Sequence, residues 1–540
     1  MIRTFYVKNP LTKKQLLLAI VSLISVTYLA LSLRLSEWGR PFWLDEADHI
    51  LCALKSKNFV ELRQSAFYFF VPILELCLRK WIWFPLTGVS EIGARIPSLV
   101  YSLGTVICAS LLTFRYLQRS YSWKAEKLIF LSATAALFYC FNITEIHYAS
   151  EARGYSFISL VSLLWFFDEL FLSATGPLKF LLNLLFLNAH FFSLPFILAS
   201  FSRRLYRATG NQSKIFSHLG ELLFILTCSF YINEPEISGL LGFTKHPASR
   251  MANETTAERL WSGIQLLYRY WENLGGPCIF FVVIALLIFL LCFQKNLVRK
   301  NRYLFGLVYL LLPALLISIR IISKHEFSDR YFMPFMGLGF SYFIFCLKSI
   351  AATKYEKHLY MLTLVTAVAC VIRDNQKITM VSEIHRNSSY VEIFNQISAK
   401  NKTPIILAAL PAWQTHISEL YFSYFVTPPR AIRVASPIDE QMTMAVNPFF
   451  LPGEESNLQA TIFSEFRDQD ITLVFLFSSK QCYEAGNGSS RQGIAVEKYE
   501  VNDSWWTGSS CIWSISGKLD VKTIRAIMQD ENIPAIRYFY

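Results

Sequence analysis

Charged residues are scarce in this chain. Asp, Glu, Lys and Arg together make up 17% of its 540 residues, whereas hydrophobic residues make up 53%. Soluble globular proteins carry about 25% charged residues. The composition therefore argues against a string of soluble domains and favours one large membrane domain with a smaller polar part.

Motifs of several common sites are absent as well. The sequence has no Cys-x-x-Cys pair, no Walker-type phosphate loop and no dinucleotide-binding glycine fingerprint, which argues against sites of those types. The net charge of +12 does not arise from basic stretches with interleaved aromatic residues, so we expect no nucleic-acid partner. Cys482 and Cys511, in the polar C-terminal part, are compatible both with a disulfide and with two free thiols.

Long apolar runs are abundant. A membrane-spanning helix needs about 20 apolar residues, and the first run follows four basic residues without a small-x-small cleavage site, so it predicts an uncleaved span. The candidate spans are residues 16–33, 96–114, 128–141, 154–172, 219–232, 277–293, 303–319, 331–347 and 359–372. Segment 66–86 is aromatic but contains Glu75, Arg79 and Lys80. We therefore expect a helix in the membrane interface there, with a true span as the alternative.

The basic residues predict the orientation of these spans. They cluster in the N-terminus and in residues 115–127, 203–214, 295–302 and 348–357. Because cytoplasmic loops are rich in Lys and Arg, the outward regions become residues 34–95, 142–153, 233–276, 320–330 and the tail from 374. Segment 180–201 has basic residues at both ends but the length of one span. It is either two half-helices that meet at residues 188–190 or a single span that breaks the charge rule.

The expected fold is an α-helical multi-pass integral membrane protein with about 10–12 membrane helices. Residues 1–373 form the membrane domain, including the first outer loop, residues 34–95. Residues 374–540 form a soluble extracytoplasmic α/β domain, because residues 383–400 have a helical pattern and residues 404–409 and 471–477 are short strand-like apolar runs.

Three polar clusters on the predicted outer side are candidate sites. The first contains three carboxylates and a histidine, the second a glutamate beside arginine and tyrosine, and the third basic residues on a side where the charge rule expects few. Each cluster also has an interpretation without a functional site. The first can be a solvated acidic turn, the second an interfacial belt of Tyr and Arg, and the third a set of ordinary salt bridges. The clusters are Asp45-Glu46-Ala47-Asp48-His49, the stretch from Glu145 through His147 and Glu151 to Tyr155, and the stretch from Lys324 through His325 to Arg330 and Tyr331.

Together these clusters resemble the C-class glycosyltransferases, in particular the bacterial branch of the protein mannosyltransferase and aminoarabinose transferase-like superfamily. The resemblance covers roughly residues 15–430, although residues 70–72 read Phe-Val-Pro where the family often has Pro-Pro. It rests on Asp45-Glu46-Ala47, on the motif Tyr148-x-x-Glu151-Ala152-Arg153-x-Tyr155, on residues 88–98, on Asn188-Ala189-His190-Phe191-Phe192 and on Arg330-Tyr331.

The resemblance implies transfer of a sugar from a polyprenyl-phosphate donor to a lipid, glycan or protein acceptor, with inversion at the anomeric carbon. The reaction would take place on the extracytoplasmic face of the bacterial plasma membrane. The expected catalytic residues are Asp45 as general base, Glu151, which orients the acceptor or holds a metal, and Glu46 in reserve. Asp45 and Glu151 are also the candidate ligands of a divalent cation, the one cofactor considered. The expected phosphate-binding residues are Arg153, Lys324, His325, Arg330 and Tyr331, and the further site candidates are His49, His147 and His190.

Two other classes of function compete with this prediction. A transporter or flippase of lipid-linked sugars would explain the spans and the basic clusters, but it would not need carboxylates on two separate outer regions. A non-catalytic assembly or receptor protein is the third possibility. Substitution of Asp45 separates them, because only an enzyme would lose product while the folded protein persists.

Overall fold

In the computed structural model the chain forms two compact units. The first comprises Met1–Ser36, Ser56–Leu86 and Arg95–Lys377, and the second comprises Glu37–Lys55, Thr87–Ala94 and Ile378–Tyr540. The described residues are 11–35, 38, 44–69, 73–172, 176–190, 193–243, 261, 333–351, 365, 390–400, 405–410, 420, 432–434, 470–477, 490–491, 494–501 and 510–518.

Helices dominate the described part of the chain. Two π-helical turns, Arg79–Trp83 and Asp168–Leu172, continue helices without a break. The α-helices are α1 (Lys13–Leu35), α2 (Leu44–Lys55), α3 (Phe59–Phe69), α4 (Ile73–Leu78), α5 (Phe84–Thr87), α6 (Glu91–Ser120), α7 (Ala125–Cys140), α8 (Ile143–Ala149), α9 (Tyr155–Phe167), α10 (Pro177–Ala189), α11 (Leu194–Arg207), α12 (Gln212–Phe243), α13 (Met336–Ala351) and α14 (Tyr390–Lys400).

Four helical segments are long and apolar enough to cross a membrane, among the residues described: Lys13–Leu35, Glu91–Ser120, Tyr155–Leu172 and Gln212–Glu234. They confirm that four of the predicted runs are helical. The chain is therefore consistent with a helical integral membrane protein. The predicted runs 277–293 and 303–319 lie outside the described residues, as does nearly all of 359–372, so the expected count of 10–12 membrane helices stays a prediction.

Helix α13 packs against α9 at very short range. The Oγ of Ser162 in α9 donates a hydrogen bond to the carbonyl of Pro334 (2.6 Å) and accepts one from the backbone N–H of Gly337 (3.0 Å). A Cβ at position 337 would lie 2.3 Å from the carbonyl oxygen of Ser162. Only glycine fits there, as is common where membrane helices approach through small residues.

Helices α10 and α11 form a hairpin whose two ends lie together. The Nζ of Lys179, near the start of α10, binds carboxylate oxygens of Asp168 (2.8 Å) and Glu169 (2.7 Å). Arg203, near the end of α11, also binds Glu169. Each helix is about 20 Å long at 1.5 Å per residue, less than the roughly 30 Å of a bilayer core. The predicted break is confirmed, because α10 ends at Ala189 and α11 begins at Leu194; that the two helices lie within the membrane stays a prediction.

The interfacial position of segment 66–86 stays a prediction, but two of its charges lie inside the protein. Glu75 and Arg79 are fully buried, and a nitrogen of the Arg79 guanidinium lies 2.7 Å from a Glu75 carboxylate oxygen. Their pairing offsets part of the free-energy penalty for placing either charge away from water. Of the described residues in this segment, α3 ends at Phe69 and α4 begins at Ile73.

The second unit contains a mixed six-stranded sheet. Strand order is β2-β1-β3-β6-β5-β4; β1 is parallel to β2 and β3, whereas β6 is antiparallel to β3 and β5. The predicted strands 404–409 and 471–477 correspond to β1 and β3, and α14 forms the end of the predicted helix 383–400. The strands are β1 (Ile405–Leu410), β2 (Ile432–Val434), β3 (Ile471–Phe477), β4 (Ser490–Arg491), β5 (Ile494–Val501) and β6 (Ser510–Gly517).

Candidate functional site

The second polar cluster lies on a short helix and turn between two apolar helices. Helix α8 begins after Asn142, whose side-chain oxygen accepts a hydrogen bond from the backbone N–H of Glu145 (3.0 Å). This N-cap satisfies one of the amide donors that every helix start leaves unpaired. Residues 150–154 then turn the chain into α9, so the cluster is fixed at both ends by regular structure.

Within this segment Glu151 binds His147. One carboxylate oxygen of Glu151 lies 2.9 Å from the Nε2 of His147, and Glu151 is 1% exposed. An interfacial belt would place these residues at the surface, and it does not explain a buried carboxylate. A carboxylate bound to an imidazole can orient it and share a proton with it, which is a common arrangement in acid–base catalysis.

Arg153, in the same segment, is held by its neighbours. Its guanidinium carbon lies 4.7 Å from the centre of the Tyr155 ring, which in turn packs against Tyr148 at 4.6 Å between ring centres. The backbone carbonyl of Arg153 accepts a hydrogen bond from the Oγ of Ser98 (2.8 Å). This cation–π stacking and backbone anchoring give the predicted phosphate ligand a defined position.

A buried Arg34–Ser102–Glu145 network was not predicted. Arg34 donates hydrogen bonds to the Oγ of Ser102 (2.8 Å) and to the carbonyls of Ala30 and Tyr139 (3.0 Å each). The Oγ of Ser102 donates to Glu145 (3.2 Å). The sequence feature that could have indicated this network is the arginine at the end of the first apolar run, because a charge in a membrane helix requires a partner.

Burial raises the pKa of Glu145 to about 7. The hydroxyl of Ser159, the positive charge of Arg34 and the hydroxyl of Ser102 act in the opposite direction, but burial is the largest effect. The charge of Glu145 therefore changes near neutral pH.

The first polar cluster lies on helix α2 and belongs to the second unit. Asp45 is in the first turn of this helix. Glu46 and His49 are three residues apart, so they share one face of the helix, and both are buried, at 0% and 1% exposure. Glu151 belongs to the first unit, so a cavity shared by Asp45 and Glu151 stays a prediction.

His190 lies at the tip of the α10–α11 hairpin, where the backbone becomes extended and α10 ends. It is buried, at 8% exposure. The neighbouring Asn188 ties the tip to α12, because it donates a hydrogen bond to the Oγ of Ser229 (3.0 Å) and accepts one from Asn233 (2.9 Å). The predicted break at residues 188–190 therefore lies at the tip of the hairpin, which is hydrogen-bonded to α12.

The third polar cluster lies outside the described residues, and so does Cys482. Lys324, His325, Arg330 and Tyr331 therefore remain predictions. Within the part of the chain that is described, no three His, Cys, Asp or Glu side chains are grouped so that they could hold a metal ion. Metal binding by Asp45 and Glu151 is likewise untested.

Comparisons with protein-family models, with curated proteins and with solved structures found no match to this chain.

Proposed function

We propose that this protein is a glycosyltransferase that uses a sugar linked to polyprenyl phosphate. The observation that carries the proposal is the buried Glu151–His147 pair beside the stacked Arg153, on an ordered turn between two apolar helices. A carboxylate whose position is fixed by an imidazole suits the orientation of an acceptor hydroxyl group, and an arginine suits a phosphate. Their place at the end of membrane helices suits a substrate that is delivered by a lipid.

In the proposed reaction an acceptor hydroxyl oxygen attacks the anomeric carbon of the sugar. The bond from that carbon to the phosphate oxygen breaks, polyprenyl phosphate leaves, and the configuration inverts. The leaving group is a phosphate monoester with a second pKa of about 6, so it departs without a general acid. Asp45 takes the hydroxyl proton, Glu151 orients the acceptor, and Glu46 is the reserve for either role.

Cations hold the phosphate in this proposal. Arg153 is the described member of the set; Lys324, His325, Arg330 and Tyr331 complete it by their sequence positions, and a divalent ion on Asp45 and Glu151 is the alternative. The Lys and Arg pattern supports an orientation in the bacterial plasma membrane with this site outside the cytoplasm. The acceptor is a lipid, a glycan or a protein.

The competing function is transport of the lipid-linked sugar without transfer. The test reconstitutes the purified protein in liposomes with a polyprenyl-phosphate sugar labelled in both the sugar and the lipid, together with extracted envelope lipids and glycans as acceptors. We expect labelled polyprenyl phosphate and labelled product to appear in equal amounts. Movement of the intact donor between leaflets, with its sugar–phosphate bond unbroken, would establish the transporter instead. Liposomes without protein are the control.

A further inference from the structure

Glu75 and Arg79 form a charged pair in an apolar part of the first unit. The Nη2 and Nε of Arg79 donate to Oε1 of Glu75 at 2.7 and 3.1 Å, and both residues are fully buried. Replacing a buried ion pair by apolar residues of similar volume is often neutral or stabilising. Stability alone therefore gives no reason for this pair, and its neighbours suggest another.

The neighbour of Glu75 is Gly154, at the end of the turn that carries Glu151 and Arg153. A Cβ added to Gly154 would lie 3.0 Å from the Cγ of Glu75 and 3.2 Å from its Cβ. The backbone of the turn thus rests directly on the Glu75 side chain. The turn is also held by Ser98, whose Oγ donates a hydrogen bond to the carbonyl of Arg153 (2.8 Å).

The helix that carries the pair is itself anchored. The π-helical turn Arg79–Trp83 brings the indole N–H of Trp83 to the hydroxyl of Tyr101 in α6 (2.6 Å). The Tyr101 ring packs on Phe157 in the first turn of α9, with 5.2 Å between ring centres. π-helical turns occur frequently at functional sites. Glu75 is consequently pinned between Arg79, on its own helix, and the turn before α9.

We infer that Glu75 and Arg79 are positioning residues. They fix the position of the backbone of the Ser150–Gly154 turn, and with it the directions of the Glu151 and Arg153 side chains. The ion pair fixes the rotamer of Glu75, and Glu75 fixes the backbone of Gly154. This inference rests on the proposed function for its consequence on turnover, but its structural part is testable without any substrate. A displacement of about 1 Å at a reacting group can lower a rate about 100-fold.

The primary test replaces Glu75 and Arg79 together by Met, which leaves no unpaired buried charge, and measures amide hydrogen exchange in residues 148–155. We expect exchange there to accelerate at least tenfold while the melting temperature of the protein stays within a few degrees. The matched control replaces another buried pair, Asp168→Leu with Lys179→Met, and should leave exchange in residues 148–155 unchanged. Wild-type exchange in the Glu75→Met/Arg79→Met variant would overturn the inference.

A second variant changes the other partner of the contact between Glu75 and Gly154. Gly154→Ala keeps both charges but requires Glu75 to give way by a few tenths of an ångström. We therefore expect faster exchange in residues 148–155 even if the double Met variant fails to fold. Turnover in the two-label liposome assay should fall at least tenfold in either variant. Wild-type protein that transfers no sugar would refute the proposed function and leave the exchange result standing. Active wild type with unaltered exchange in both variants would refute the positioning role alone.

Discussion

Replacing Glu145 by Gln should remove a pH dependence from the stability of this protein. Burial raises the pKa of Glu145 from its ordinary value of 4.5 to about 7. The folded state therefore favours the protonated form, so the associated stability is complete below about pH 4.5 and is lost as the pH rises through about 7. A shift of this size corresponds to about 3 kcal/mol between those limits.

The assay is unfolding in detergent micelles at several pH values between 4.5 and 8. Wild type should lose about 3 kcal/mol more than Glu145→Gln over this range, because Gln mimics the protonated carboxyl at every pH. The exposed Glu126 provides the matched control, and Glu126→Gln should follow wild type. Equal pH profiles for wild type and Glu145→Gln would refute the claim that burial outweighs the charge of Arg34 and raises the pKa of the Glu145 carboxyl.

Three further predictions concern packing, orientation and donor binding. Gly337→Ala should destabilise the protein by about 3 kcal/mol or more, because the added Cβ would lie 2.3 Å from the backbone carbonyl oxygen of Ser162. Gly104→Ala, whose Cβ would lie 3.7 Å from Leu160, should be tolerated, and thermal unfolding of both variants measures the difference. Single cysteines at Asn211 and Glu455, in a background without accessible native thiols, should label differently with an impermeant reagent in intact cells: position 455 should react and position 211 should not, and equal labelling would contradict the orientation. Arg330→Lys should weaken donor binding nearly as much as Arg330→Ala, since one charged hydrogen bond is worth about 1.5–3 kcal/mol and lysine lacks the planar fork; unchanged affinity in a donor-binding titration would place the phosphate elsewhere.

The helices could be predicted because the signals for them are local. Apolar runs of membrane-spanning length identified the helices Lys13–Leu35 and Tyr155–Leu172. The α10–α11 hairpin followed from basic residues at both ends of one span length. The structure supplies its cause, because Lys179 and Arg203 bind the same glutamate, Glu169.

Side-chain pairing within the candidate site could not be predicted from local patterns. Arg34 and Tyr139 are 105 residues apart in sequence, and Arg34 reaches Glu145 through Ser102. Glu75 and Arg79 have the spacing of a helical ion pair, but their charges predicted a helix in the membrane interface. Their burial could not be predicted, because it depends on the packing of distant segments. The contact of Glu75 with Gly154 likewise joins residues that no sequence pattern connects.

The proposed sugar transfer, with Asp45 as its general base, is tested by the turnover of Asp45→Asn in reconstituted membranes with a polyprenyl-phosphate sugar. Removing a general base lowers a rate about 10²–10⁴-fold, so we expect such a loss while expression and donor binding stay near wild type. Glu151→Gln in the same assay should also impair turnover, and addition or removal of divalent cations shows whether a metal contributes. Near wild-type turnover of Asp45→Asn would refute its role as the base, and near wild-type turnover of both variants would contradict the proposed enzyme.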